Sequence, residues 1–207
     1  MLDALFPSLH TRRLCLEPLT IADAPAIQEL FPQWEIVRFM APRVPWPYGP
    51  NDAERFVRNV ALPGMERGET WHWSIRPREG TDRLMGVISL MDNTPTTGPR
   101  ENRGFWLAPQ WQGQGLMTEA VEAVTDYWFL VLERDVMRTE KAAENAASIA
   151  ISRKTGMRMT GTRRRDFRCG QNMLAERWEI TRTEWLAWKE RQKPNSSVRS
   201  SRQETSS

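Results

Sequence analysis

The chain of 207 residues lacks several features that mark specialised classes of protein. It has two cysteines, Cys15 and Cys169, without a CxxC pair or a Cys/His ligand spacing, so a disulfide-stapled fold and a zinc site are excluded. Its longest apolar run, residues 127–132, falls far short of the roughly 18 residues of a membrane span. No basic-then-apolar signal pattern opens the chain. These absences predict reduced thiols, no metal and a soluble, cytoplasmic protein.

A strong excess of one charge is also missing. Lys and Arg number 29 against 26 Asp and Glu, a net charge of +3. Residues 192–207 hold three basic residues and one acidic residue, which leaves about +1 for the rest of the chain. Nucleic-acid binders usually have a strongly basic domain, so charge alone gives that class no support. The same segment is rich in serine and poor in large apolar residues, which predicts a disordered tail after one domain at 1–191.

The remaining composition is globular, with 40% hydrophobic and 27% charged residues. Strands are expected at 10–19, 70–77, 83–92, 103–109, 136–142, 157–169 and 172–181. Helices are expected from Thr20, from Asn51, over 116–133, over 145–155 and from Thr183, with a stiff Pro-rich loop at 41–50. This order predicts a single α/β (α+β) domain, in which one mixed sheet has helices on both faces.

Two of the expected helices show a periodic apolar face. In the helix from Asn51 the inward positions are Phe56, Val57 and Val60. In the helix over 116–133 they are Met117, Ala120, Val121, Val124, Trp128 and Val131. The longer helix directly follows the glycine-containing segment QWQGQG, residues 110–115.

A glycine loop between a strand and a helix N-terminus is suited to holding phosphate. The N–H groups of residues 112–116 could converge there at the positive end of the helix dipole. The dinucleotide motif G-x-G-x-x-G is incomplete, because Thr118 stands where a third glycine would fall. The nucleotide motif G-K-S/T does not follow the loop either. The loop alone therefore leaves the phosphate ligand open, and the glycines could also serve only a tight turn.

Residues 104–121, GFWLAPQWQGQGLMTEAV, resemble motif A of the GNAT superfamily of acyl-CoA-dependent N-acyltransferases. Gln110, Gly113 and Gly115 match its signature Q/R-x-x-G-x-G/A. The flanking WLAP and TEA, the segment ENAASIAISRKTGM and the loop VPWPY are similar to the branch that acetylates ribosomal-protein N-termini and to its small-amine relatives. The resemblance covers roughly residues 9–191 and implies a single GNAT-fold domain.

The resemblance implies acetyl-CoA as co-substrate, no metal, and a central sheet that splays at the CoA site. The pantetheine would pair with backbone at Trp106 and Leu107, and the Leu107 N–H would bind the thioester oxygen. Such preorganised donors are worth about 3 kcal/mol in acyl transfer. The implied donor-binding residues are Trp106, Leu107, Gln112, Gly113, Gln114, Gly115, Leu116, Asn145 and Lys154. Lys154 could instead complement the dipole of its helix.

Acyl transfer to an amine needs a neutral nucleophile and a proton for the departing thiolate. By resemblance Ser148 is the expected acid, and the alternative is an ordinary helix-start serine. Asn145 would bind the pantetheine or cap that helix. Neither cysteine is expected beside a histidine base, so direct attack on the thioester is expected rather than a covalent acyl-enzyme.

The general base is less well defined by the sequence. Family members often carry a glutamate where this chain has Asn102, and the pleat turns Glu101 to the opposite face. Asp166 is a second candidate, against the alternative of a surface hairpin charge, and a water chain could replace both. His72, between two tryptophans in a strand, is expected to be a sheet-surface residue.

The acceptor pocket is expected at the Pro-rich entry region, with Trp34, Arg38, Phe39, Trp46 and Tyr48 as the substrate-binding residues, unless this region is only a packed lid. The basic stretch at 163–168 is interpreted as a solvated face. The predicted function is acetyl transfer from acetyl-CoA to a primary amine, either a protein N-terminus or a small molecule. The alternatives are a non-catalytic CoA-binding module and a ribosome- or RNA-associated factor. No membrane partner is expected, and a homodimer is left open.

Overall fold

The computed structural model describes residues 6–80, 82–92 and 101–193. Its strands are β1 (Leu9–His10), β2 (Leu14–Pro18), β3 (Thr70–Pro77), β4 (Gly86–Met91), β5 (Arg103–Leu107), β6 (Val136–Ala142), β7 (Arg158–Phe167) and β8 (Gly170–Thr181). Its α-helices are α1 (Ala24–Leu30), α2 (Trp34–Val37), α3 (Asp52–Phe56), α4 (Leu62–Glu66), α5 (Leu116–Asp126), α6 (Ala146–Lys154) and α7 (Arg182–Gln192). From residue 194 onward the expected tail lies outside the described residues, so its disorder and the domain boundary stay predictions.

The expected α/β class is confirmed, and the expected sheet is built in two parts. One sheet has five antiparallel strands in the order β1-β2-β3-β4-β5, and the other has three in the order β6-β8-β7. β5 and β6 are joined through α5, a crossover that sets them side by side and in the same direction. The two sheets therefore meet along β5 and β6.

Asn102 joins the two sheets at the foot of this junction. Its N–H donates to the Arg138 carbonyl at 2.8 Å, and its side-chain oxygen accepts the Arg138 N–H at 2.8 Å. Its side-chain nitrogen donates to the Met91 carbonyl at 3.1 Å. Beyond this point the described residues form no ladder between β5 and β6, so the sheet parts as the resemblance implied.

The two faces of the larger sheet bury separate cores. Leu14, Trp73 and Ile88 pack with α5, α6 and α7. Val87 directly precedes Ile88 in β4, so its side chain points to the other face, where it packs with α1 to α4. Helices thus cover both faces, as expected.

Two helices contain a π turn that changes their phase. After α3 the π turn spans Val57–Ala61, and after α5 it spans Tyr127–Val131. A π turn holds one more residue than an α turn, so the side chains that follow rotate away from the expected face. The expected inward positions Val60 and Val131 are therefore wrong, and both are 58% exposed.

The last helix begins one residue earlier than expected, at Arg182. Thr181 and Glu184 form a capping box, in which the Thr181 hydroxyl accepts the Glu184 N–H at 3.2 Å. The Glu184 carboxylate in turn accepts the Thr181 N–H at 2.8 Å. This reciprocal pair satisfies two N–H groups at the start of α7 and fixes where the helix begins.

Candidate active site

The glycine loop leads from β5 into α5 with its amides unpaired. Gly113 and Gly115 have φ angles of 75° and 76°, a left-handed conformation that favours glycine. Among the described residues, none accepts a hydrogen bond from the N–H of Gly113, Gln114, Gly115 or Leu116. A Cβ added to Gly113 would meet no atom within 4 Å, so the loop faces open space. Four available amides at a helix N-terminus fit the pyrophosphate of an acyl-CoA.

Arg13 holds this loop from the side, a contact that sequence reasoning missed. Its Nη1 donates to the Gln114 carbonyl at 3.0 Å, and its Nε lies 2.7 Å from the Glu119 carboxylate. A Cβ on Gly115 would lie 3.5 Å from Arg13 Nη2. The guanidinium, ion-paired with Glu119, therefore lies beside the unpaired amides. The only local signal was a pair of arginines at the start of a strand.

A cavity of about 740 Å³ connects the loop with the end of α6. Its lining includes Gly115 and Thr118 at the start of α5 and Lys154 at the end of α6. Of its three acidic residues, Glu119 and Asp126 are paired with Arg13 and Lys189, whereas Glu122 forms no ion pair with a described residue. Lys154 thus lies on the same cavity as the loop, which suits its predicted role in binding acetyl-CoA.

The edge of β5 supplies a second set of free peptide groups. The Ala108 N–H donates to the Met85 carbonyl at 2.9 Å, which fixes the alternation of the β4–β5 ladder. This phase turns the peptide groups of Phe105 and Leu107 toward the gap and those of Trp106 toward β4. This phase does not fit the expected backbone pairing at Trp106, because the peptide groups directed at the gap are those of Phe105 and Leu107.

The Leu107 peptide has a carbonyl that is already hydrogen-bonded and an N–H that is not. Its carbonyl accepts the Gln112 side-chain amide at 2.7 Å. Its N–H has no acceptor in the part of the chain that the structure describes. Because this N–H points into the gap, it can serve as the predicted donor to a thioester oxygen.

The start of α6 places the two polar residues expected near the sulfur. The Asn145 side chain caps the helix by accepting the Ser148 N–H at 3.1 Å. The Ser148 hydroxyl is half-buried and has no hydrogen-bond partner among the described residues. It is therefore available to a ligand, whereas Asn145 already has a structural role.

The carboxylates expected near the sheet junction already have ion-pair or hydrogen-bond partners within the protein. Glu101 pairs with Arg165 at 2.6 Å, and Glu140 lies 3.2 Å from the same guanidinium. Asp166 is exposed, and its carboxylate accepts the Asn172 N–H at 2.8 Å in the β7–β8 turn. This is the geometry of a surface hairpin charge, so the catalytic role of Asp166 stays an unsupported prediction.

The expected acceptor residues form two aromatic groups. The rings of Trp34 and Trp46 lie 5.3 Å apart, and Trp34 is 40% exposed. The Tyr48 ring meets Phe31 edge to face at 5.2 Å, and Phe31 meets Trp106 at the same distance. Burial, with a smaller effect from Asp52, raises the pKa of Tyr48 to about 12, so its hydroxyl remains a donor.

Arg38 and Phe39 lie next to these groups. The Arg38 guanidinium stacks over the Phe39 ring at 4.5 Å. The Arg38 carbonyl accepts the Cys169 N–H at 2.9 Å, so the β7–β8 turn packs directly on this segment. The expected acceptor residues are thus assembled where the chain enters the Pro-rich loop, and their contact with an acceptor stays a prediction.

The basic stretch at 163–168 is mostly engaged within the protein. Arg163 and Arg165 pair with Glu140, and Arg168 donates to the carbonyls of Pro42 at 3.1 Å and Trp46 at 3.0 Å. Of the four arginines, Arg164 alone is exposed. The interpretation of this stretch as a solvated face is therefore wrong for three of its four arginines.

Two expectations about histidine are also corrected. His72 is opposite the neighbouring tryptophans but is buried, with its ring nitrogens 2.7 Å from the Ser89 hydroxyl and 3.1 Å from the Thr70 hydroxyl. Burial lowers its pKa to about 4. Cys15 does have a histidine neighbour, since its Sγ lies 3.2 Å from His10 Nδ1. Burial and the bond to Glu17 raise the pKa of Cys15 to about 11, so it remains a thiol and a poor nucleophile.

Two kinds of feature are absent from the described ranges. No helix there is long and apolar enough to cross a membrane. Within the same ranges, no three His, Cys, Asp or Glu side chains are grouped to hold a metal ion.

The site combines a sheet that parts, a free strand edge and four unpaired amides. These features are typical of a class of protein that binds an extended, phosphate-bearing ligand. Residues 13–158 match the acetyltransferase (GNAT) domain, and the chain belongs to this family. The family expected from residues 104–121 is thereby confirmed.

Individual relatives agree with this assignment. A probable N-acetyltransferase of Bacillus subtilis (strain 168), YjcK, is 29% identical over 104 residues. That stretch spans 50% of this chain and 57% of the relative, so the chain matches little more than half of that protein's length.

Several solved structures share the fold. The ribosomal-protein-S5-alanine acetyltransferase of Vibrio fischeri has a TM-score of 0.72 at 15% identity, covering 86% of this chain and 98% of that chain. RimL, a ribosomal L7/L12 alpha-N-protein acetyltransferase in complex with coenzyme A, has a TM-score of 0.69 at 18% identity, covering 83% of this chain and 95% of that chain. The spermidine N-acetyltransferase of Vibrio cholerae, in complex with CoA and spermine, has a TM-score of 0.68 at 18% identity, covering 85% of this chain and 99% of that chain. At these identities the likeness shows the fold alone.

Proposed function

We propose that this protein transfers an acetyl group from acetyl-CoA to a primary amine by direct attack. The observation that carries the proposal is the set of four unpaired amides from Gly113 to Leu116 beside the free N–H of Leu107. Acetyl-CoA supplies the activated acyl group. The loop amides and Arg13 would hold its pyrophosphate, and the Leu107 N–H would stabilise negative charge on the thioester oxygen.

The acceptor is a peptide N-terminus in first place and a small amine in second. The carboxylates Glu101 and Glu140 are ion-paired with arginines, so these two residues are not free to bind a polycation. An α-amine also has a pKa near 8, which leaves a larger neutral fraction at neutral pH than a lysine amine near 10.4. This chemistry suits a site without a dedicated carboxylate base.

The test is thiol release from acetyl-CoA with a panel of acceptors. The panel contains peptides with free and blocked N-termini, spermidine and single amino acids. We expect thiol release with free N-termini and none with blocked peptides. Calorimetric binding of CoA without thiol release from any acceptor would instead favour the non-catalytic module.

The ribosome-associated alternative is tested on the same protein. Three of the four arginines at 163–168 are engaged internally, which gives this alternative little support. Retention on ribosomes that weakens steeply with salt would favour it.

A further inference from the structure

Lys141 is a buried lysine without an ion-pair partner among the described residues. It is 6% exposed, and its Nζ donates to the Thr139 hydroxyl at 2.9 Å. No described carboxylate lies within ion-pair distance of it. A buried ammonium without a counter-ion is costly, so its retention requires an explanation.

Arg103 is a second buried basic residue near Lys141. It is 5% exposed, and its contacts are the Thr125 hydroxyl at 3.1 Å and the sulfurs of Met137 and Met157 at 3.4 Å. Its Nε has no partner, and no described carboxylate pairs with it. Two basic side chains thus share an interior region in which neither is paired with a described carboxylate.

Lys141 lies on the part of β6 that follows the point where the two sheets part. Asn102 and Arg138 mark the foot of the gap, and Lys141 lies three residues beyond Arg138 on β6. Phe105 lies three residues beyond Asn102 on β5, so both positions are about 10 Å along their strands.

Lys141 also shares the face of the sheet covered by α5 and α6. Its neighbour in the pleat, Thr139, pairs with Trp178, which packs in the core formed with these helices. The Arg153 guanidinium of α6 lies 5.7 Å from that Trp178 ring. The same two helices carry Ser148, in the first turn of α6, and the loop amides, at the start of α5.

The surroundings of Lys141 favour loss of its proton in the free protein. Burial and, to a smaller extent, Arg103 on β5 lower its pKa to about 7, while Glu101 and Glu176 act in the opposite sense. Burial also lowers the pKa of Arg103 to about 10, so Arg103 remains a cation at neutral pH. An anion formed in the gap would therefore be stabilised by Arg103 and would favour the protonated form of Lys141.

We propose that Lys141 is the acid that protonates the departing CoA sulfur. This inference rests on the proposed acetyl transfer. The amine nitrogen forms a bond to the acetyl carbon, the carbon–sulfur bond breaks, and the sulfur takes a proton from Lys141 Nζ. The nitrogen loses its extra proton to water, and Lys141 regains a proton from water after product release. Ser148 then contributes a neutral hydrogen bond to the sulfur.

The first test titrates the thiol of CoA bound to the full chain, followed by the ultraviolet absorbance of its thiolate. We expect bound CoA to ionise at lower pH than free CoA in the wild type. Lys141→Met should lose this shift, and Lys141→Arg should keep it because the positive charge remains. An equal shift in the wild type and in Lys141→Met would overturn the proposal.

The second test compares turnover. Lys141→Met should lower kcat about 100-fold, a typical contribution of an acid catalyst, with CoA affinity within about twofold of the wild type. Lys193→Met, which changes a lysine whose side chain is 67% exposed, is the matched control and should leave kcat unchanged. An unchanged kcat in Lys141→Met would contradict the proposal.

The outcomes separate the two proposals. Removing a buried cation should not unfold the protein, and thermal unfolding of Lys141→Met checks this. If the wild type acetylates no amine, the proposed function fails, while the thiol titration still decides the role of Lys141. If the wild type is active and Lys141→Met equals it, only the role of Lys141 fails.

Discussion

The Asn102 side chain and the Arg138 N–H are joined at 2.8 Å at the point where the two sheets part. This bond, with the Asn102 N–H bond to the Arg138 carbonyl, closes the foot of the gap. The family resemblance implied that a glutamate is common at this position, and here the Asn102 amide joins the strands instead. The residue that departs from the family pattern is thus a structural one.

Asn102→Ala should lower the free energy of unfolding by about 1 to 2 kcal/mol, because the Arg138 N–H and the Met91 carbonyl lose their partner. Urea unfolding measures this loss. Asn59→Ala, at an exposed position with no side-chain bond among the described residues, is the control and should change little. Equal losses in both variants would show that Asn102 does not fasten the sheets.

Gly113→Ala should weaken CoA binding measured by calorimetry. The new Cβ enters the space in front of the amides, and the left-handed backbone costs about 1 to 2 kcal/mol. Gly68→Ala is a matched control, because Gly68 has a φ of 67° and open space around its Cβ position. Both variants should lose similar stability, and only Gly113→Ala should lose affinity. Unchanged affinity in Gly113→Ala would remove the loop from the binding site.

Ser148→Ala should lower kcat about fivefold with little change in CoA affinity, because one neutral hydrogen bond to the sulfur is worth about 1 kcal/mol. Ser148→Thr keeps a hydroxyl and should recover part of the rate. Steady-state kinetics with the best acceptor measures both. A wild-type rate in Ser148→Ala would exclude the residue from the mechanism.

His72 should make the protein less stable in acid. Burial holds its pKa at about 4 when folded, whereas an unfolded histidine has a pKa near 6.5. The unfolded chain binds the proton first as the pH falls, so stability is complete above about 6.5 and declines down to about 4. The full loss is about 3 kcal/mol. In His72→Gln, unfolding measured across this range should show a smaller decline, and an equally steep decline would refute the assignment.

Arg168→Ala should raise the KM for the acceptor about tenfold, since the Pro-rich loop loses two charge-assisted hydrogen bonds. The KM for acetyl-CoA should stay unchanged. Arg164→Ala is the control, because Arg164 is exposed and bonds only to the Asn172 carbonyl among the described residues. A change in the KM for acetyl-CoA instead would show that Arg168 acts elsewhere.

Local patterns predicted much of the fold. The span of β6, the glycine loop and the start of α5 follow from side-chain alternation and helix-start signals. Val131 was placed on the wrong face because a π turn interrupts the helix after α5, and the apolar period of the sequence contains no sign of it. The expected Trp106 pairing does not fit the strand phase, because that phase depends on the partner strand.

Parts of the candidate site could not be predicted in the same way. Arg168 reaches Trp46, a residue 122 positions away in the chain, and a run of arginines gives no sign of such a contact. Lys141 lies in strand β6, and the residues next to it in the sequence do not predict that its side chain is buried. Its position depends on β8 and on the helices that cover that face.

The sequence by itself determined strand β5, the left-handed glycines Gly113 and Gly115 and the start of helix α5, where the free amides lie. Backbone conformation at these positions depends on neighbouring residues in the chain. Only the tertiary structure decided which charges are paired, as with Arg165 and Glu101, and which are buried alone, as with Lys141. Desolvation and ion pairing depend on atoms that are distant in the chain, and folding alone brings them together.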